Sequence, residues 1–209
     1  MFVDLICLAI SVFLFITYHL VVFGRNATRK HTFIQFQDEI RGNWVQAVMQ
    51  PKEAILGVQT LRNSIMGATV FSTTSILLII GTLTLSVQMG LLGEASRFFV
   101  SGEAEQSLLK LKTLCLLGNL LCAFMFFAQA IRLNAHIGII IGATANENAQ
   151  VAATRLMNQA ARCHFGGMRC YYLAVPLVLW LYDPYLLVLS TLGMLPVLLK
   201  LDRSPVLSD

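Results

Sequence analysis

Charge is what this sequence lacks most. Asp, Glu, Lys and Arg make up 12% of the 209 residues, about half of the ~25% typical of soluble domains. That deficit excludes a large water-solvated surface. With 56% hydrophobic residues, it implies a chain solvated mainly by lipid. The five cysteines, Cys7, Cys115, Cys122, Cys163 and Cys170, form no CxxC pair and are odd in number, so they build no disulfide framework. They read as free packing thiols. The four histidines, His19, His31, His136 and His164, show no HxxxH or ExxH spacing. His19 and His136 both lie near span ends, but without such spacing no metal or haem is expected. There is no nucleophile elbow, phosphate loop or paired-acid motif, so neither an enzyme nor a cofactor is expected. The basic residues lack the aromatic interleaving that would suggest nucleic acid, and a membrane surface explains them better.

What is present is long apolar runs. The first, "MFVDLICLAISVFLFITYHLVVFG", has no basic n-region and no small-residue cleavage site, and reads as a retained span over 3–23. In the polar stretch that follows, Ile40, Trp44, Val45 and Val48 fall at helical spacing. They predict a short amphipathic helix over 38–50, with Trp44 at headgroup level. Pro51 and Glu53 suit a helix start. From there two helices of about 40 residues, roughly 60 Å each, are expected in succession. Their lipid-compatible parts are 64–92 and 111–133. Ser101 and Glu103 suit the start of the second. Gly142 suits its end, and Thr144 with Glu147 reads as a capping box for an amphipathic helix over 145–165, ended by Gly166 and Gly167. The last apolar run, 171–199, reads as one span kinked at Pro176, Pro184 and Pro196. The alternative is a segment that breaks at Asp183–Pro184.

The expected architecture is a single all-α integral membrane domain over 1–209. Four transmembrane helices cross the bilayer, and the long second and third helices extend with the amphipathic helices into a cytoplasmic layer. Charge sets the orientation. The two long connections carry Arg25, Arg29, Lys30, Arg41, Lys52, Arg62, Arg132, Arg155, Arg162 and Arg169; the opposite side carries Arg97, Lys110, Lys112, Lys200 and Arg203. The excess places the connections in the cytoplasm and both termini outside.

Three stretches carry a family resemblance: "RGNW", "TLRNSIMGAT" entering the second span, and "GGMRCYYLAVPLVLWLYDP" entering the fourth. The chain resembles the bacterial membrane family called domain of unknown function 599 over most of its length. Arg41, Trp44, Arg62, Asn63, Gly167, Arg169, Tyr171, Tyr172, Pro176 and Trp180 bear the motifs, and Asp183 departs from the small residue expected before the proline. The resemblance implies a multi-pass membrane protein and brings no reaction, substrate or cofactor.

The polar atoms of the third helix are not scattered. Cys115, Asn119, Cys122, Phe126, Gln129, Leu133 and His136 alternate by four and three and share one stripe, with Arg132 beside it. Asn119, Gln129, Arg132, Asn134 and His136 are therefore candidates for a polar lining or for interhelical hydrogen bonds. Arg62, Asn63 and Arg169 are candidate contacts for an anion or lipid headgroup. Asp183 is a functional candidate inside a span and a plain loop residue if the chain turns there. Ser64, Ala68 and Ser72, and Gly138 with Gly142, form small-residue stripes that let helices approach. The role expected from these features is a non-catalytic, oligomeric scaffold or accessory subunit in contact with membrane lipids of the bacterial inner membrane. The alternative is a channel or transporter for a small ion or solute, lined by the third helix.

Overall fold

The structure is a computed structural model that describes residues 2–28, 33–50, 53–88, 103–143 and 147–201. Among the described residues six α-helices follow one another: α1 (Phe2–Thr28), α2 (Phe33–Val48), α3 (Ala54–Gln88), α4 (Glu103–Ala143), α5 (Glu147–Tyr182) and α6 (Pro184–Leu201). No strand occurs among the described residues. Two helices, α3 and α4, are long and apolar enough to cross a membrane, while Phe2–Tyr18 and Pro184–Lys200 are shorter apolar helices. The expected starts at Pro51 and Ser101 and the Thr144 cap lie outside the described residues.

The chain divides into two compact units. The first holds 1–33, 78–120 and 171–209, and the second holds 34–77 and 121–170. The second unit gathers the segments expected to form a helical layer. Its core is Val45 and Val48 from α2, Leu61 from α3, Leu133, Ile137 and Ile141 from α4, and Ala153 and Ala160 from α5. Trp44 packs, partly buried, against this cluster.

The C-terminal third differs from the sequence expectation in two ways. The helix expected to stop at Gly166 and Gly167 runs on to Tyr182, through both glycines and Pro176. The glycines are there for proximity. A Cβ on Gly167 would lie 2.6 Å from Cζ of Phe127, and one on Gly166 would lie 3.0 Å from Cε1 of Phe126. Packing of α5 on those rings offsets the helix penalty of roughly 1 kcal/mol per glycine.

The second difference is at Asp183. The single kinked span over 171–199 is not formed, because the helix breaks at this one residue and the chain reverses. The Asp183 carboxylate accepts a hydrogen bond from the Tyr185 N–H at 2.7 Å, so it caps α6. Its own N–H donates to the Leu179 carbonyl at 3.2 Å and closes the last turn of α5. Asp183 is thus a turn residue with a structural duty.

Within the first unit the directions of three helices follow from their neighbours. The start of α1 (Val3, Ile6, Cys7, Ile10) lines an apolar groove with the start of α6 (Tyr185, Val188, Leu189, Leu192). Further along α1, Phe15 meets the later residues Thr191, Met194, Leu195 and Leu198. α1 and α6 are therefore parallel. α5 opposes both, since its last turns (Leu177, Trp180) meet Cys7 and its earlier residues (Tyr172, Leu173, Pro176) meet Phe15.

Candidate functional site

The densest buried polar constellation joins three helices of the first unit. Asp4 stands in the first turn of α1, Lys112 on α4, and Trp180 near the end of α5. Lys112 Nζ lies 2.7 Å from Asp4 Oδ1, with the two side chains 8% and 11% exposed. The same ammonium sits 5.3 Å from the Trp180 ring centroid, within cation–π range. Trp180 is fully buried and clusters with Cys7 and Leu187. Charges removed from water cost several kcal/mol each unless paired. Here the carboxylate neutralises the ammonium while the indole face covers it. Trp180 Nε1 and Ser11 Oγ are buried and make no hydrogen bond within the described protein.

A second polar network ties α2 to α5 in the other unit. Gln37, Asp38 and Arg41 share one face of α2. Arg41 donates to Gln37 Oε1 at 2.7 Å, Asp38 Oδ1 at 2.8 Å and Asn158 Oδ1 at 3.3 Å. Arg162 of α5 donates to Asp38 Oδ2 at 3.2 Å. Burial pulls the Arg41 guanidinium below its usual range, and Asp38 acts against that pull. The planar fork of Arg41 suits this several-partner geometry. Both networks position helices; neither presents a nucleophile with a base.

The candidates from the sequence fall mostly beside these networks. On α4 the buried face is Leu116, Leu120, Ala123, Phe127, Ala130, Leu133, Ile137 and Ile141. The polar stripe lies one residue to the side and flanks it. Arg132 and His136 are exposed, Gln129 is half-buried, and among the described residues Gln129 has no hydrogen-bond partner. Asn119 is half-buried and engaged. Asn134 Nδ2 returns to the Ala130 carbonyl of its own helix at 3.0 Å. Arg62 and Asn63 are exposed on α3, and Arg169 is half-buried and engaged on α5. Arg41 was marked by the family motif alone, and Asp4 was missed. An acid inside the first apolar run, with a lysine among the leucines of "LLKLKTLCLL", was the available signal. Among the described residues no group of three or more His, Cys, Asp or Glu gathers as a metal site.

No curated protein and no solved structure matches the chain. A family model described as "Protein of unknown function, DUF599" matches residues 6–206, nearly the whole length. The buried constellations, with Trp180 in one and Arg41 in the other, lie largely within that match, and the chain belongs to the DUF599 family.

Proposed function

We propose that this protein is a multi-pass protein of the bacterial inner membrane, acting as a non-catalytic scaffold that self-associates or serves as accessory subunit of a membrane complex. The outward face of α3 carries this reading. The inner small residues Ala68, Ser72 and Ser75 are buried against the rest of the chain. Outside, Gly67, Val70, Thr74, Leu77 and Gly81 repeat by three and four and are all exposed. A Cβ on Gly67 or Gly81 would meet nothing within 4 Å. A helix seam at that spacing, with small residues (Gly67, Thr74, Gly81) every seventh position, suits close left-handed packing against another helix.

Hydroxyl groups support the lipid setting. Thr60, Ser64, Thr69, Thr74, Ser75, Thr82 and Ser86 each donate to the carbonyl four residues back on α3. A polar group satisfied within its own helix tolerates hydrocarbon. The test is native mass spectrometry of the purified protein in several detergents. Oligomers or co-purifying subunits that vanish with Gly67→Leu and Gly81→Leu support the reading; one monomeric mass throughout defeats it.

One observation favours transport as the second reading. Gln129 has no hydrogen-bond partner among the described residues, and Arg132 and His136 beyond it are exposed. A wet path along Asn119, Gln129, Arg132 and His136 would use such a surface. Proteoliposome flux that is absent, or untouched by Gln129→Leu and Arg132→Ala, removes it.

A further inference from the structure

We infer that α1 and α6 cross the bilayer in the same direction, and that the end at which both finish is the face that docks on the anionic headgroup layer. The inference rests on the membrane reading above and goes beyond it, because a single span over 171–199 would carry the chain out and leave both termini on one side. The structure opposes that path. α6 starts one residue after α5 and folds back antiparallel to it. Its early residues meet early residues of α1, and its late residues meet Phe15 further along α1. Two parallel neighbours inside one compact unit begin at one end and finish at the other.

Length permits the crossing. α6 has 18 residues, about 27 Å at the α-helical rise and close to the roughly 17–25 residues a span needs. Its single Lys or Arg, Lys200, is exposed in the last turn, where a long cationic side chain reaches the interface.

Charge gives the second, independent support. The end of the unit where α1 and α6 start holds Asp4, Asp183, an exposed Lys110, and Lys112, whose ammonium Asp4 neutralises. Moving Lys200 and the following Arg203 to the side of the long connections changes the Lys and Arg balance from ten against five to twelve against three. The asymmetry that orients inner-membrane proteins is thereby sharpened. Each basic residue near an anionic leaflet adds attraction to it. The partner is thus the anionic phospholipid headgroup layer of the cytoplasmic leaflet.

The experiment places one epitope tag before the first residue and another after the last of the full chain. Protease is added to spheroplasts and, separately, to inverted membrane vesicles. The expected result is loss of the N-terminal tag only in spheroplasts and of the C-terminal tag only in inverted vesicles. Two tags lost from the same side overturn the inference while leaving a membrane protein. Release of the protein by alkaline carbonate would instead show that the membrane reading itself fails, and the inference with it.

Discussion

Lys112 and Asp4 make a 2.7 Å ion pair across α4 and α1 under the face of Trp180. The first prediction concerns this pair. Removing one partner leaves a buried charge alone, so Asp4→Asn and Lys112→Met should each destabilise by about 3–5 kcal/mol. Replacing both by apolar residues, Asp4→Leu with Lys112→Met, should recover most of the loss. Thermal unfolding in detergent, followed by the fluorescence of Trp180, measures all three. Additive losses in the double variant would show that the charges do not act as a pair.

A second prediction contrasts glycines. At Gly167 a new Cβ would sit 2.6 Å from the Phe127 ring. Gly167→Ala should therefore cost about 1–3 kcal/mol, the usual penalty of overpacking. Phe127→Leu introduced with it should recover part of the loss. At Gly118 the same added methyl meets nothing within 4 Å. There alanine should be neutral, or stabilising by up to about 1 kcal/mol through helix propensity. The unfolding midpoints of the two variants should move in different directions.

The Arg41 network yields a third. Arg41 binds three side chains and is 16% exposed, whereas Arg162 is 67% exposed and reaches Asp38 alone. Arg41→Ala should loosen α2 from α5 and raise amide exchange in both. Arg162→Ala should change stability by less than about 1 kcal/mol, as exposed pairs do. Equal effects from the two would refute a central role for Arg41.

Gln129 gives a fourth, with the opposite sign. Its side chain bonds to no described residue, so Gln129→Leu should leave the unfolding midpoint within about 0.5 kcal/mol of the parent. A large loss would reveal an intramolecular partner and end its candidacy as a lining or interface residue.

Much of this architecture was legible from residue patterns, for physical reasons. The helices now numbered α3 and α4 run for 35 and 41 residues through long apolar stretches without a proline, and nothing local competes with the helix. The full length of α5 is not legible, because Gly166, Gly167 and Pro176 are breakers by local rules, whereas here the rings of Phe126 and Phe127 reward a surface without side chains. The turn at Asp183 was legible only as an alternative. Asp–Pro marks a turn in water, but an apolar run on both sides supports a kinked span equally well. The Asp4–Lys112 pair was hidden by distance along the chain. The small-residue stripe at Ser64, Ala68 and Ser72 pointed to association, yet Ala68 and Ser72 are turned inward and the exposed glycines lie on another face.

The parallel pairing of α1 with α6 has a consequence for how the chain is made. The first helix to leave the ribosome is completed by one of the last, with some 180 residues between Cys7 and Leu187, which share one buried cluster. During that interval Cys7 has no α6 to cover it. The first unit therefore closes late, through contacts of long sequence separation, which form slowly. The segments of the second unit all precede residue 171, so every one of them has been synthesised before α6.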